Sequence, residues 1–301
     1  MSPEKKNGFS FIASFLKKLI EIAALKVSRD KRFKHYLTKM EKYGTLALVA
    51  GASEGIGAAF SRYFAESGMD LILIARKKEP LEKFGASLST QYNINATTLC
   101  CDLSDPDSVK NLTIALQDAK IDILVYNAAL SFIGSFEKDT EEHMKRIAEA
   151  NMITPMKLVK FFGERMLKNR KGAIILMSSL AGFQGSGFLT CYAATKAFSR
   201  IFAESLWYEW KEKGVDVIAC CAGATSTKNY LETNPGSSGF LAPGVTTPEE
   251  VVAECLKHLG KKPSFVAGTG NKIASFLMQR ILPRKMAIRI MGDTTRKIYR
   301  L

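Results

Sequence analysis

Short apolar runs alternate with turns and amphipathic helical patterns from Thr45 onward, and this alternation restricts the fold more than any other feature of the chain. Strands that alternate with helices form βαβ units, in which the strands lie parallel and the helices cover both faces of the sheet. The pattern predicts an α/β fold with a doubly wound parallel sheet in three α/β/α layers. The predicted strands are residues 46–50, 71–74, 96–101, 121–126, 173–177, 215–220 and 264–267.

A glycine turn stands between the first predicted strand and the helix after it. Its glycines are Gly51, Gly55 and Gly57. Glycines permit a tight turn and let a phosphate approach the free amides at the start of a helix. An ordinary tight turn is the alternative, but the position between strand and helix favours a dinucleotide. The sheet is therefore predicted to be of the Rossmann type.

The end of the second predicted strand indicates which dinucleotide binds. Ile74 is followed closely by Arg76 and two lysines, with no carboxylate among them. A carboxylate there suits the ribose hydroxyl of NAD, whereas the 2′-phosphate of NADP favours an arginine. NADP(H) is therefore predicted. The alternative is that the three cations are solvent-exposed residues at the start of the next helix. Glu54 in the glycine turn also counts against a bound phosphate, because its carboxylate would repel it. Asp102, after the third strand, can accept from an adenine amino group or cap the next helix.

A hydroxyl, a phenol and an ammonium, from Ser179, Tyr192 and Lys196, follow the fifth predicted strand. The four-residue spacing of Tyr192 and Lys196 puts both on one face of a helix. A phenol titrates near ~10 and transfers protons poorly at neutral pH unless a neighbouring positive charge stabilises its phenolate. The three residues are predicted to move a proton to or from the oxygen of a carbonyl or alcohol.

These residues, in this order and spacing, resemble the short-chain dehydrogenase/reductase family over residues 45 to about 267. The resemblance implies that Tyr192 is the general acid/base, and that Lys196 lowers its pKa and binds the nicotinamide ribose. It also implies that Ser179 orients the substrate oxygen and that Asn151 holds a water of the proton relay. The cofactor contacts that it implies are Gly51, Ser53, Glu54, Gly55, Ile56, Gly57, Arg76, Asp102, Leu103, Asn127, Ala128, Tyr192, Lys196, Gly223 and Thr227.

The chain departs from the family pattern without losing a catalytic group. Tyr126 and Ala129 replace the outer residues of the family's N-N-A-G, and Ala222 replaces the proline before Gly223. Family members usually assemble as dimers or tetramers through the helices that here carry Asn151 and Tyr192, so a homodimer or homotetramer is expected.

The predicted activity is an NADP(H)-dependent oxidoreductase that interconverts a ketone and a secondary alcohol. The predicted substrate is apolar, of an acyl, steroid-like or polyketide-like kind, and a loop at about residues 224–246, rich in glycine and proline, is the predicted substrate lid. The alternative is a non-catalytic NADP-binding sensor or scaffold of the same fold. Candidate pocket side chains are Phe183, Phe188, Leu189, Tyr230, Phe240 and Leu241.

The net charge of +14 comes from the two ends of the chain. Residues 1–43 carry 11 basic and 4 acidic side chains, and residues 271–301 carry 8 and 1. A neutral middle argues against nucleic-acid binding. We therefore predict a basic amphipathic helical extension at 1–43, a catalytic domain at 44–270 and a basic helical tail at 271–301.

The apolar positions of residues 8–27 recur at helical spacing, but the longest uncharged run is too short to span a membrane. This helix is predicted either to lie on a membrane surface or to pack on the body of the protein. The expected location is the cytoplasm, with peripheral binding to a membrane if the helix lies on a membrane surface.

Six cysteines without C-x-x-C spacing indicate small buried side chains in a reducing compartment. The three histidines are far apart in the sequence, with no acidic or cysteine cluster at ligand spacing. No metal site is predicted.

Overall fold

This computed structural model describes residues 40, 42–232 and 244–301. The chain divides into two compact units, Met1–Lys42 and Tyr43–Leu301, and the second contains the parallel sheet. The helix predicted at residues 8–27 and residues 233–243 of the predicted lid lie outside the described residues. In the described ranges, no helix has both the length and the apolar composition that crossing a bilayer requires.

Seven parallel strands form one sheet in the order β3-β2-β1-β4-β5-β6-β7. The predicted doubly wound sheet is confirmed. The strands are β1 (Leu46–Ala50), β2 (Asp70–Ala75), β3 (Ala96–Cys100), β4 (Ile123–Tyr126), β5 (Gly172–Ser179), β6 (Val215–Ala222) and β7 (Ser264–Val266).

The connections between the strands are mainly α-helical. The helices are α1 (Gly55–Glu66), α2 (Lys78–Tyr92), α3 (Pro106–Ala115), α4 (Glu141–Ala148), α5 (Thr154–Asn169), α6 (Thr190–Trp210), α7 (Lys228–Glu232), α8 (Pro248–His258), α9 (Thr269–Phe276) and α10 (Arg284–Tyr299). The turns Glu149–Ile153 and Leu277–Ile281 are π-helical, and Phe136–Lys138, Leu180–Phe183 and Lys211–Lys213 are 3₁₀-helical.

The core lies on both faces of the sheet because successive side chains of a strand point to opposite faces. Leu48 and Ile174 belong to a buried cluster with Leu158 and Phe162 of α5. Helix α1 packs against α2 and α8, while α3 packs against α5, and α4 against α6. The inner strands β1, β2, β4, β5 and β6 are almost wholly buried, as expected of a parallel sheet covered by helices, whereas the edge strands β3 and β7 are partly exposed.

The predicted helix over residues 140–168 differs from the observed structure. The segment is helical almost throughout, but the π-helical turn Glu149–Ile153 separates α4 from α5. A π-helical turn inserts a residue into the α-helical pattern and alters the backbone hydrogen bonding, and such turns are frequent at functional sites. Asn151 lies in the middle of this turn.

The ligand crevice of a doubly wound sheet lies where the strand order reverses, outside the carboxyl ends of the strands. Here that point is between β1 and β4, whose last residues, Ala50 and Tyr126, are paired. Leu176 of β5 pairs with Tyr126, so β5 extends three residues further, to Ser179. A cavity of about 480 Å³ opens at this edge of the sheet.

Candidate active site

The glycine turn after β1 has no room for larger side chains. Gly51 has φ +80°, and a Cβ atom added there would lie 2.7 Å from the amide nitrogen of Ala128. A Cβ on Gly57 would lie 1.9 Å from the carbonyl oxygen of Gly51. The Asn127 side chain donates to that same oxygen over 3.0 Å. The turn is therefore held against β4, and its backbone forms part of the cavity wall.

The start of α1 faces the cavity. Its N-cap residue, Glu54, makes no side-chain capping hydrogen bond. The first amides of an α-helix have no partner within the helix and, with the helix dipole, attract anions. The predicted contacts Gly51, Ser53, Glu54, Gly55 and Ile56 all line the cavity, whereas Gly57 is buried behind them.

The cations predicted to select NADP(H) lie at the far end of the same cavity. Arg76 and Lys77 line it, and both side chains are exposed. Lys78 is not part of the wall and lies 3.9 Å from the Glu82 carboxylate in α2. The cavity therefore has two basic side chains where the second strand ends.

Asp102 lines the cavity after β3, and both of its carboxylate oxygens already accept hydrogen bonds. The amide and hydroxyl of Ser104 donate to Oδ1 over 3.0 Å and 2.7 Å. The Arg146 guanidinium donates to Oδ2 over 2.9 Å and to the Ser104 hydroxyl over 3.1 Å. Partial burial alone would raise the pKa of Asp102, but the hydrogen bonds from Ser104 and the charges of Arg146 and Arg76 lower it overall.

Arg146 was not among the residues predicted from the sequence. It lies in α4, 44 residues after Asp102, and neither its neighbours nor its spacing marks it. Only the packing of α4 beside the end of β3 brings the two side chains together. Leu103, also predicted, lines the cavity next to this pair.

The predicted proton-transfer residues meet between the end of β5 and the first turns of α6. Ser179 and Tyr192 are joined by a hydrogen bond and line the cavity together with Lys196. The Lys196 ammonium lies 5.6 Å from the centroid of the Tyr192 ring and donates to the carbonyl oxygen of Met177 over 2.9 Å. The helical spacing read from the sequence thus places the phenol and the ammonium side by side.

Burial shifts the pKa of both side chains toward their neutral forms. It raises the pKa of the Tyr192 phenol, and the hydrogen bond with Ser179 offsets only part of that rise. Burial lowers the pKa of Lys196 to about 8. At neutral pH the phenol therefore holds its proton and the amine is mainly charged.

Asn151 lies behind the catalytic cavity rather than in its wall. Its side-chain amide donates to the Leu130 carbonyl over 2.8 Å and to the Thr195 hydroxyl over 2.9 Å, and its carbonyl accepts from the Leu130 amide over 2.8 Å. A second cavity of about 10 Å³ lies beside Asn151 and Lys196. Such a volume is close to that needed for one water molecule.

The tyrosine that departs from the family motif supports the same turn. The Tyr126 hydroxyl donates to the carbonyl of Ala150, which precedes Asn151 in the π-helical turn. Tyr126 is 4% exposed and also borders the small cavity. The substitution therefore adds a buried hydrogen bond beneath the site.

The remaining predicted cofactor contacts follow β4 and β6. These strands lie on the other side of β1 from β2, which precedes Arg76. Asn127, Ala128, Gly223 and Thr227 all line it. A Cβ on Gly55 would lie 2.8 Å from the Thr227 methyl group, so the loop after β6 reaches back to the glycine turn. A single continuous cavity thus runs from the basic side chains to the proton-transfer residues.

The sequence model of the short chain dehydrogenase family matches residues 45–237. The chain belongs to the short-chain dehydrogenase family. A 7β-hydroxysteroid dehydrogenase of Clostridium sardiniense is 32% identical over 232 residues, which are 77% of this chain and 88% of the relative.

Two solved structures extend the comparison. A 7β-hydroxysteroid dehydrogenase structure has a TM-score of 0.78 and 28% identity, covering 84% of this chain and 98% of its own. A short-chain dehydrogenase from Sphingobium yanoikuyae in complex with NADPH has a TM-score of 0.67 and 30% identity, covering 74% and 87%. The chain is an oxidoreductase of CH–OH groups that uses NADP(H). The glycine turn, which has no room for a Cβ atom, and the cations Arg76 and Lys77 fit this dinucleotide.

In this short-chain dehydrogenase one wall of the cavity comes from the last helix. The sequence predicted a helical tail there, but not its position in the cavity wall. The side chains of α10 in the wall are Met291, Thr294, Thr295, Ile298 and Tyr299. They recur at helical spacing, so their periodicity was a usable signal. What the periodicity could not show is that this face turns toward the active site.

Helix α10 is held over the loop that joins β5 to α6. The Arg284 guanidinium donates to the Phe183 carbonyl over 2.9 Å, and the Arg296 guanidinium lies 5.1 Å from the centroid of the Phe188 ring. Phe188 has φ +64°, a conformation that non-glycine residues adopt rarely. The loop and α10 therefore form one packed wall.

Two of the predicted pocket side chains, Leu189 and Tyr230, line the cavity. Phe183 instead packs on the core with the Arg200 guanidinium 4.7 Å from its ring centroid, and Phe188 lies under Arg296. Phe240 and Leu241 lie outside the described residues.

Proposed function

We propose that this short-chain dehydrogenase interconverts a ketone and a secondary alcohol on an apolar substrate, with Tyr192 as the general acid/base. The supporting observation is the single cavity. It has the glycine turn and Arg76 at one end, the hydrogen-bonded pair of Ser179 and Tyr192 in the middle, and the face of α10 opposite.

In the proposed complex the dinucleotide follows the row of strand ends. The glycine turn and the first amides of α1 hold the pyrophosphate, and Arg76, aided by Lys77, holds the 2′-phosphate. Asp102 keeps its bonds to Ser104 and Arg146 and accepts from the adenine amino group with a remaining lone pair. The bound dinucleotide supplies the hydride for reduction or takes it in oxidation.

The proton is handled by residues of this chain. In reduction Ser179 orients the substrate oxygen and the Tyr192 phenol donates its proton to it. The raised pKa of the phenol keeps that proton in place at neutral pH until the oxygen gains negative charge. Lys196 stabilises the phenolate that remains, and its ammonium is also placed to bind the nicotinamide ribose.

We propose that Tyr192 is reprotonated through the small cavity beside Asn151 and Lys196. The volume suits one water molecule. The three hydrogen bonds of the Asn151 side chain fix the π-helical turn that borders this space. Asn151 therefore acts by shaping the relay site.

The remaining wall supports the proposed substrate class. Leu130, Ile133 and Leu189, with Met291 and Ile298 of α10, give the part of the cavity around Tyr192 an apolar lining. The names of the 7β-hydroxysteroid dehydrogenase relatives support the steroid-like member of the proposed class, and those of the 3-oxoacyl-CoA reductase relatives support the acyl member.

Replacing the phenol tests the reaction. Tyr192→Phe should lower kcat for ketone reduction by ~10²–10⁴, the range for loss of a general acid, while NADPH binding measured by fluorescence stays unchanged. The panel of substrates contains a ketosteroid, a 3-ketoacyl thioester and a polyketide-like ketone. Tyr208→Phe, on an exposed tyrosine of the same helix, is the control and should retain full activity.

Two outcomes would contradict the proposal. Normal turnover by Tyr192→Phe would remove Tyr192 from the reaction. NADPH binding without turnover of any ketone or alcohol by the unmodified protein would favour the sensor or scaffold alternative.

Assembly and location remain proposals. Helix α6 exposes Ile201 (54%) and Tyr208 (81%), which are seven residues apart and lie on one side of the helix. We propose that this face joins copies into a homodimer or homotetramer, and a monomeric mass by light scattering would contradict that. A cytoplasmic protein of lipid metabolism, bound peripherally to a membrane, is also proposed.

A further inference from the structure

Helix α9 exposes large apolar side chains and buries two polar ones. Asn271 and Ser275 are 1% and 8% exposed, whereas Ile273 and Phe276 are 58% and 59% exposed. A helix that packs on a protein and faces water normally has the opposite arrangement. The outer face of α9 is therefore suited to contact with an apolar medium.

The apolar face continues into the π-helical turn after α9. Leu277 is 37% exposed and Ile281 is 61% exposed. Ile273, Phe276, Leu277 and Ile281 recur three, four and eight residues apart, which places them along one side of the helical segment. We call these four side chains the outer stripe.

Exposed apolar side chains are concentrated in this part of the molecule. Seven of the thirteen large apolar side chains that are exposed in the described ranges fall within residues 269–301. Single exposed apolar residues are normal on a protein surface, but a contiguous group marks a binding surface. The outer stripe is such a group.

The same segment is strongly basic. Residues 271–301 contain eight Lys or Arg and one acid, Asp293. Arg280 lies within the π-helical turn, and Arg284 and Lys285 begin α10 directly after it. Cations that flank an apolar stripe are typical of helices that lie in the surface of an anionic bilayer.

We propose that the outer stripe and its flanking cations dock this protein on an anionic phospholipid bilayer. The apolar side chains enter the boundary of the acyl chains, and Arg280 and Lys285 face the lipid phosphates and carboxylates. A second copy of the chain is a poorer occupant, because two such faces would bring like charges together. A bilayer supplies both the apolar medium and the opposite charge.

Docking through this segment has a consequence for catalysis, which rests on the proposed function. Helix α10 follows the outer stripe directly, and its other side chains form the wall of the catalytic cavity. An apolar ketone dissolved in the bilayer then reaches the cavity without crossing bulk water. Docking should speed the reduction of ketones held in the membrane and leave that of water-soluble ketones unchanged.

Vesicle sedimentation tests the docking with the full chain. The vesicles contain phosphatidylcholine with roughly 30% phosphatidylserine, a composition that gives an anionic surface. Phe276→Ser combined with Ile281→Ser should lower the partition coefficient about tenfold or more, because two apolar side chains no longer enter the bilayer. Ile114→Ser combined with Phe136→Ser, which removes two side chains of similar exposure elsewhere, should bind as the unmodified protein does.

The same proteins are then assayed with a water-soluble ketone and with an apolar ketone held in the vesicles. The Phe276/Ile281 variant should match the unmodified protein on the soluble ketone and lose activity only on the vesicle-held ketone. Failure on both ketones in the unmodified protein would count against the proposed function, and the sedimentation result would still decide the docking.

Three results would overturn the docking. They are equal sedimentation of the Phe276/Ile281 variant and the unmodified protein, equal binding to vesicles of phosphatidylcholine alone, and a lipid-independent fall in molar mass by light scattering in the variant. The last result would assign the outer stripe to contact between copies of the chain.

Discussion

Lys196 is a buried charge at the centre of the proposed proton-transfer site. It is 4% exposed, yet its ammonium has one carbonyl partner, from Met177. Burial favours the neutral amine, which explains why the pKa of Lys196 falls to about 8. A lysine with a pKa of about 8 changes its charge within the pH range in which enzymes commonly work.

We predict that kcat/KM for ketone reduction falls as pH rises through about 8, where Lys196 loses its charge. The pKa of Tyr192 is raised, so the phenol stays protonated at that pH and does not account for the decline. A pH–rate profile with NADPH measures this limb, because kcat/KM reports the ionisations of the free enzyme.

Lys196→Arg serves as the comparison, since a guanidinium stays charged above pH ~12. Whatever activity this variant retains should show no decline near pH 8. A decline that persists there belongs to another group and would contradict the assignment to Lys196.

The lowered pKa of Lys196 also makes the stability of the fold depend on pH. A lysine whose folded pKa is lowered binds fewer protons in the native state than in the unfolded state. Between about pH 8 and its ordinary value, this group therefore favours the native state increasingly as pH rises. Below that window the buried charge opposes folding.

At the scale of residues, the sequence predicts contacts between side chains that are a few residues apart. It does not predict contacts between side chains on different elements. Tyr192 and Lys196 share a helix, so their proximity follows from their four-residue spacing. The partnership of Asp102 with Arg146 depends on two elements packing together. No pattern in the sequence encodes it.

Helix α10 is the element whose role changed most between sequence and structure. The sequence indicated a basic tail, and the structure places one face of that tail, with Met291, Ile298 and two threonines, in the wall of the cavity. Its contacts with Phe183 and Phe188 fix it to the loop after β5. The helix belongs to the same unit as the proposed catalytic residues.

We predict that Ile298→Ala raises KM for a bulky apolar ketone about tenfold with little change in kcat. The variant removes apolar contact that substrate and transition state share, and loss of such uniform binding appears in KM. Steady-state kinetics at saturating NADPH measures the effect. Met286→Ala, on an exposed methionine of the same helix outside the cavity, should leave KM unchanged.

A fall in kcat equal to the fall in kcat/KM would contradict this role for Ile298. It would mean that the side chain acts only in the transition state, or that its loss disturbs Tyr192. An unchanged KM for both variants would remove α10 from substrate binding.

The π-helical turn shows the limit of sequence patterns for elements. Residues 140–168 have a helical pattern throughout, and the segment is in fact helical. The change of hydrogen bonding at Glu149–Ile153 is held by the Tyr126 hydroxyl and by the Asn151 side chain. Those contacts come from β4 and from the loop after it, so the local sequence does not show them.

For the whole molecule, the proposed cofactor contacts connect distant parts of the sheet. Arg76 follows β2, the glycine turn follows β1, and Tyr192 follows β5. A ligand that binds all three in the native state and none in the unfolded chain stabilises the entire fold. Stability thus reports on cofactor recognition without any turnover.

We predict that NADPH at about a hundred times its Kd stabilises the protein by about 2.7 kcal/mol. NADH at the same concentration should stabilise it less. Arg76→Ala should weaken NADPH binding about 10–100-fold by removing a charge-assisted contact to the phosphate, and the advantage over NADH should then largely disappear. Thermal unfolding with each cofactor measures the difference.

Lys78→Ala removes a neighbouring cation that is outside the cavity wall and should keep the NADPH advantage. If Arg76→Ala keeps it too, another residue selects the phosphate.

By itself the sequence determined the alternation of strands and helices, the glycine turn, the cations after β2 and the Tyr192–Lys196 pair. These features depend on neighbours within a few residues, where periodicity and steric limits decide the backbone. Only the tertiary structure decided which elements meet at the active site. Arg146 reaches Asp102, Tyr126 supports the turn of Asn151, and α10 closes the cavity while the outer stripe of the preceding segment faces outward. Such contacts join residues far apart in the chain, and packing of the whole unit selects them.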